Sequence, residues 1–363
     1  MTTRAKTALA IGSCLLVLTG LGIWGGSYLI LEVYPAWKNE RLQLLDQASR
    51  VEGTTGDRIL LIGNVSHGRQ ILPPADERLR GNPKYDFSRL ATTYYHRNGP
   101  VGRVLEGLNW FPGPDNSYHA DARMPASQLG LAAVPMGMPF SQLVGVWSEP
   151  SFAVVLLKDG ALASYARPFQ FVDFYERSSE VTALSRPANG AQPKFTFLED
   201  AEGRAANLRV FSGPERKTLA DRGPKGFYRA IVLDTSRGAS SIVSHELMTK
   251  EATTLFFEQL TDDGILLVHI SSKDYDLAPA VADVAHSLKL SAVRLQDKGN
   301  QIAGTDRFAS DWVLVARRPE LLDAVKARIP PAAAGGAAIQ WQPLQPSGSP
   351  PWADGERYVL RRR

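Results

Sequence analysis

The chain has 363 residues, 44% of them hydrophobic and 21% charged, which is a globular balance with enough length for one large domain or two smaller ones. Lysine and arginine outnumber aspartate and glutamate by 41 to 37, a net charge of +4 that is too small and too scattered to point to nucleic acid. The one cysteine, Cys14, excludes an internal disulfide and a thiolate metal cluster.

In chain order, the first feature is an apolar stretch. No charge occurs from Thr7 to Leu31, and Trp24, Tyr28, Tyr34 and Trp37 gather toward its far end, as interface anchors do. This predicts an uncleaved transmembrane helix over 7–34 and a single-pass membrane protein. Arg4 and Lys6 before the span nearly balance Lys38, Arg41 and Arg50 after it, so orientation stays open. Residues 38–50 read as a short polar surface helix. The stretch "DRILLIGNVSHGRQIL" (57–72) reads as two strands about Gly63-Asn64, within a small β-domain over 57–105. Residues 106–150, rich in Pro, Gly and Met, read as an irregular connection.

From residue 151 strands and helices alternate. Strands are expected at Phe152–Leu157, Gln170–Tyr175, Leu208–Phe211, Arg229–Asp234, Gly264–Ser271 and Trp312–Ala316. Helices are expected at Ala161–Ala166, Glu215–Asp221, Leu277–Leu288 and Ser244–Leu260, the last capped by Ser244. Strands without polar alternation, such as "GILLVHI", suit a sheet covered on both faces. The pattern predicts a parallel, doubly wound α/β domain over 151–328, with its ligand site at the carboxyl ends of the strands. A linker and C-terminal extension (329–363) follow.

At those strand ends lie the informative residues. The loop after the first strand is Leu156-Leu157-Lys158-Asp159-Gly160: a cofactor loop, the remnant of one, or an ordinary turn. The second strand ends in Glu176, where a carboxylate can accept ribose hydroxyls or stand solvated. The third ends at Ser212-Gly213-Pro214 and the fourth at Asp234, placed for function or as a turn aspartate. None of the histidines (67, 96, 119, 245, 269 and 286) has a metal spacing, so no metal is expected; His269, inside an apolar strand, reads as a satisfied core residue. There is no G-x-S-x-G elbow and no P-loop.

Several stretches in order resemble the spermidine synthase (polyamine aminopropyltransferase) family, closest to the synthase-like domain fused to major-facilitator-type membrane segments in bacteria. They are "GNVSHGRQIL", "TTYYHRNGPVG", "FAVVLLKDGALASYA", "FYE", "VFSGPERKTL", "IVLDTS", "DDGILLVHISSKDYDLAPAV", "DWVLVAR" and "PWADGERYVL". The resemblance implies a Rossmann-like, methyltransferase-type fold behind a small β-domain, and transfer of an aminopropyl group from decarboxylated S-adenosylmethionine to putrescine. It implies roles for Gln70 near the aminopropyl end, for Tyr95 and His96 as the start of the family's Y-H-E, for Glu176 at the ribose, for Gly160 and Gly213 at the cofactor, and for Asp234 as general base. A homodimer is implied in the same way, as is a cytoplasmic domain if the protein is active.

The departures from the family are equally specific. Its G-x-G-x-G keeps only Gly160, with Leu156 and Lys158 expected to intrude where the adenosyl cofactor sits. Pro214 replaces the adenine-contacting aspartate, and Arg97 replaces the glutamate of Y-H-E. The readings that follow are a spermidine synthase-like protein with a degenerate cofactor loop and weak or absent transfer; an active S-adenosyl-dependent aminopropyl- or methyltransferase with a remodelled pocket; a non-catalytic pseudoenzyme that binds a partner; and a pocket that takes a small polyamine or, at Lys158 beside a helix N-terminus, an anionic ligand.

Overall fold

The computed structural model describes residues 42–47, 56–62, 65–80, 82, 85–108, 151–188, 190–235, 245–272, 275–302, 305–329 and 339–355. It begins with a three-stranded antiparallel sheet of β1 (Leu42–Gln47), β2 (Asp57–Ile62) and β3 (Val65–Ile71). The β2–β3 pair matches expectation; its turn, Gly63-Asn64, lies outside the described residues. The helix expected over 38–50 is instead strand β1 where described. Pairing along the whole of β2, from Leu42 opposite Ile62 to Gln47 opposite Asp57, overrides the polar local sequence. Helix α1 (Pro100–Leu108) follows. Residues 109–150, most of the expected irregular connection, lie outside the described residues, as do the 330–338 linker and Ser244.

The main sheet has eight strands in the order β13-β9-β12-β8-β7-β4-β5-β6. These are β4 (Phe152–Val155), β5 (Phe171–Glu176), β6 (Asn207–Ser212), β7 (Tyr228–Leu233), β8 (Leu260–His269), β9 (Ser291–Asp297), β12 (Ser310–Ala316) and β13 (Gln340–Pro343). A small hairpin, β10 (Asn300–Ile302) with β11 (Thr305–Arg307), lies between β9 and β12. Strands β4 to β8 are parallel, but β12 runs antiparallel to β8 and β9. The sheet is therefore mixed, not purely parallel. "DWVLVA" is buried throughout, so its local pattern reads the same in either direction.

Helices cover both faces. α2 (Ser179–Ser185), α3 (Phe197–Gly203) and α7 (Pro319–Arg328) join α1 on one face; α4 (Glu215–Arg222), α5 (Lys250–Gln259) and α6 (Ala278–Ser287) cover the other. Alternation along β4 divides the core, Val154 going to the first cluster and Ala153 and Val155 to the second. The long helix expected from Ser244 begins only at Lys250: Thr249 caps it by accepting from the Ala252 amide.

Residues 7–34, on which the expected anchor rests, lie outside the described residues. Among those described, no helix is long and apolar enough to cross a membrane, and the single-pass localisation is not retained.

Candidate functional site

The site is built where β4 and β7 lie side by side. Their parallel register pairs Val155 with Leu233, so the residues that follow each strand emerge together at the sheet's carboxyl lip. After β4 the chain makes three left-handed steps, at Leu156 (φ 77°), Lys158 (φ 51°) and Gly160 (φ 80°). This is the alternate spacing of the G-x-G-x-G pattern, kept in backbone shape with only one glycine. Each non-glycine residue there costs about 1–2 kcal/mol. Gly160 remains glycine for a local reason: a Cβ would come within 2.5 Å of Leu198 Cδ1. All five loop residues are buried.

Lys158 does not project into open space. Its ammonium lies 2.7 Å from Asp234 Oδ1, with the two side chains 7% and 2% exposed. The same oxygen lies 2.7 Å from His269 Nδ1, and Oδ2 accepts from the Tyr95 hydroxyl at 2.5 Å. Burial alone would raise the Asp234 carboxyl. Lys158 and the His269 hydrogen bond outweigh it and hold the group well below the usual carboxylate range. Burial, then the Asp234 charge, pushes the Tyr95 hydroxyl far up, so it stays a donor.

His269 lies at the end of β8, fully buried, stacked on Trp312 at 4.1 Å between centroids and met edge-on by Tyr94 at 5.2 Å. Its Nε2 is 2.9 Å from Ser271 Oγ, which also accepts from the Asp311 amide at 2.9 Å. Burial keeps the imidazole below its ordinary value, against the pull of Asp234 and with the help of Lys158. His269 is thus buried with a partner at each ring nitrogen, as expected of a core histidine, but those partners are an ionised acid and a serine hydroxyl at the sheet's lip.

Asp159 is the second buried carboxylate of the cluster. Its Oδ1 accepts from the Ala161 amide at 3.1 Å, and burial, with the nearby Asp234 charge, raises it to about 7. A Cβ at Gly68 would collide with this carboxyl group at 2.1 Å, so glycine is required for β3 to pass so close.

The remaining expected residues are placed as follows. Glu176, the last residue of β5, is buried and turned inward. Oε2 accepts from the Leu157 amide and Oε1 from the Ser178 amide, both at 2.9 Å. Burial raises its carboxyl despite these bonds. Gln70 donates to Ser88 O at 2.9 Å and Thr196 Oγ1 at 2.7 Å, and accepts from the Thr196 amide at 3.0 Å. It thus ties β3 to the segment leading into α3. His96 accepts at Nδ1 from the Asn98 amide; burial, then Arg307 and Arg97, lowers it to about 4, and it is neutral near pH 7. Arg97 faces outward to Glu106 at 3.2 Å. Gly213 (φ 129°) turns the chain after β6, and Pro214 occupies the N-cap position of α4.

The structure therefore brings Asp234 and Tyr95 together, while Glu176 and Gln70 are committed to the protein itself and His96 stands apart. Sequence reasoning missed three features: Lys158 as the partner of Asp234, Asp159, and Ser271. The i, i+2 spacing of His269 and Ser271 at a strand end was the available signal.

Comparison with known proteins adds the fold. No family model matches the chain, and no curated protein matches it. Among solved structures, a probable spermidine synthase from Corynebacterium glutamicum aligns over 88% of this chain and 96% of its own, with a TM-score of 0.50 at 12% identity. Spermidine synthase from Thermotoga maritima aligns over 78% and 75%, with a TM-score of 0.37 at 11% identity. The O-methyltransferase TomG from Streptomyces achromogenes, solved in complex with SAM, aligns over 54% and 86%, with a TM-score of 0.31 at 13% identity. The chain has a divergent, spermidine synthase-like version of the Rossmann-like methyltransferase-type α/β fold, built on a mixed sheet.

Proposed function

We propose that this protein uses a spermidine synthase-like fold in which its own side chains close the S-adenosyl crevice, leaving aminopropyl transfer weak or absent. One observation carries the reading: the Lys158 ammonium sits on Asp234, the carboxylate expected to deprotonate the attacking amine. A general base must be free to take a proton. Asp234 instead neutralises a buried lysine and accepts from Tyr95 and His269.

The residues present do not fit the cofactor. Glu176 is buried with each oxygen already accepting from a backbone amide, and the Lys158 ammonium lies across the lip on Asp234. A sulfonium brought near Lys158 would meet a like charge. The ordered sequence stretches favour the branch of synthase-like domains found fused to membrane segments, and a homodimer would follow from the family resemblance. Calorimetric titration of the full chain with decarboxylated S-adenosylmethionine, S-adenosylmethionine and methylthioadenosine tests the reading. Silence with all three is expected; a saturable isotherm with any of them overturns it. Lys158→Gly combined with Leu156→Gly should restore measurable binding if these side chains are the block.

A second reading, an active transferase with a remodelled pocket, is favoured by the retained left-handed path of 156–160 and by Glu176 at the end of β5. It requires Lys158 to leave Asp234 when ligand enters. The re-purposed pocket for an anionic ligand requires the same displacement, because the lysine already has a carboxylate.

A further inference from the structure

Asp234 is withdrawn from amine chemistry, yet it holds His269, and His269 holds Ser271. The direction of these bonds is fixed by inventory. An ionised carboxylate only accepts, so His269 Nδ1 carries the proton that meets Asp234 at 2.7 Å. In the neutral imidazole Nε2 is then an acceptor. An acceptor Nε2 needs a donor, so across the 2.9 Å contact it is the Ser271 hydroxyl that donates; Ser271 Oγ also accepts from the Asp311 amide. His269 is the last residue of β8, and Ser271 lies two residues beyond it, where the chain has left the strand. His269 is fully buried while Ser271 is half-buried.

We propose that Ser271, His269 and Asp234 form a nucleophile, base and orienting acid that act on activated acyl esters. This goes beyond the proposed closure of the S-adenosyl crevice and stands independently of it. Ser271 Oγ bonds to the ester carbonyl carbon while its proton passes to His269 Nε2. The tetrahedral species collapses, the bond from carbon to the alcohol oxygen breaks, and the alcohol leaves with that proton. Water then gives a proton to Nε2 and its oxygen to the acyl carbon. The acid is released and the proton returns to Ser271. Asp234 is the positioning residue: it fixes the imidazole tautomer. Lys158 on the same carboxylate oxygen weakens the support for an imidazolium, which limits the reaction to esters with good leaving groups.

The test is phosphonylation of the full chain by a fluorophosphonate, mapped by peptide mass, alongside hydrolysis of p-nitrophenyl butyrate. Labelling concentrated at Ser271 is expected, with the hydrolysis rate falling about 100-fold in Ser271→Ala and in His269→Gln. The groups facing the imidazole are Asp234, Lys158, Asp311, Tyr94 and Ser271. The labelling rate should stay level from pH 8 to below the ordinary histidine range, and in Asp234→Asn its inflection should move further down. Labelling scattered over other serines, or hydrolysis unchanged in a Ser271→Ala variant that melts cooperatively, overturns the proposal. If these variants fail to fold, Ser271→Cys decides: iodoacetamide should alkylate residue 271 about ten-fold faster in the folded chain than in urea. Equal or slower alkylation refutes an activating base.

Discussion

Two buried ion pairs invite comparison. Arg69 and Asp57 meet at 2.8 Å between β3 and β2, with side chains 4% and 0% exposed. Lys158 and Asp234 meet at 2.7 Å at the lip of the main sheet, and are buried almost as deeply. The first pair joins strands already aligned by their backbone ladder, with Arg69 opposite Ile59 and Asp57 opposite Ile71. It asks nothing unusual of the chain. The second requires a left-handed lysine. Its carboxylate also serves Tyr95 and His269, so one pair staples a sheet whereas the other is the centre of a buried polar cluster at the sheet's lip. Equal burial does not mean equal purpose; the difference lies in backbone strain and in the further partners of the acid.

Removing one partner of a buried pair leaves an uncompensated charge, at a cost of about 3–5 kcal/mol. Asp234→Asn and Asp57→Asn should both lose stability on this scale in urea unfolding. Only Asp234→Asn should also change the pH profile of Ser271 labelling. If both variants changed it alike, the two pairs would not differ in purpose. Replacing both Lys158 and Asp234 by apolar residues should recover only part of the loss: no lone charge then remains, but the buried His269 Nδ1 and Tyr95 hydroxyl lose this acceptor.

Next in size is a pH effect confined to the lip. The Asp159 carboxyl is raised to about 7 in the folded chain, from 3.8. Between these values the folded state binds the extra proton, so stability falls as pH rises through this window. The shift corresponds to an upper bound of about 4 kcal/mol. Asp159→Asn keeps the acceptor for the Ala161 amide and cannot ionise. Its stability relative to the parent should improve from pH 4 to pH 8 and then level off. His96, lowered to about 4, acts in the opposite sense: its contribution is lost as pH falls from 6.5 toward 4. Denaturant midpoints for Asp159→Asn and His96→Gln across this range should therefore diverge in direction. Parallel curves would place neither group where the structure has it.

Much of the lip was legible because strand ends are marked locally. Glu176 is indeed the last residue of β5, and Asp234 immediately follows β7. The loop's alternate positions could be matched to a glycine pattern, and all three have positive φ. What the loop's side chains do was not legible. Lys158 finds Asp234 only because β4 and β7 are neighbours, a fact of sheet order that no local pattern contains. Helix α1 was hidden for a different reason. Val101, Val104 and Leu105 have helical spacing and are buried, but they fall at the end of the stretch read as a small β-domain over 57–105. Gly102 is there for close packing: a Cβ would lie 2.5 Å from the Tyr165 hydroxyl.

The strain in the loop can be separated from its packing by one pair of variants. Leu156 and Leu157 are adjacent and buried, but only Leu156 has positive φ. Truncating either opens a cavity, at about 2–5 kcal/mol. In Leu156→Gly part of that loss is offset by relief of a left-handed leucine, which Leu157→Gly lacks. Leu156→Gly should be the milder variant by about 1–2 kcal/mol. Equal losses would mean that the backbone at 156 carries no strain.

The smallest effect comes from an exposed counterpart of the buried pairs. Arg58 donates to both oxygens of Asp46 at 2.7 Å and to the Lys194 carbonyl at 3.0 Å. The geometry is bidentate, better than that of Lys158 on Asp234, yet the Asp46 side chain is 51% exposed. Water and salt screen such a pair, so Arg58→Ala should cost no more than about 1 kcal/mol. Raising the salt to about 1 M shortens the screening length to roughly 3 Å and should erase most of that difference. The deficit of Asp234→Asn should survive the same salt, because ions cannot reach a carboxylate and an ammonium enclosed by Tyr95 and His269. A salt series on the two variants therefore asks whether burial, rather than hydrogen-bond geometry, sets the strength of an ion pair in this protein. Equal salt sensitivity would show that the lip is open to solvent and that Lys158 is free to move.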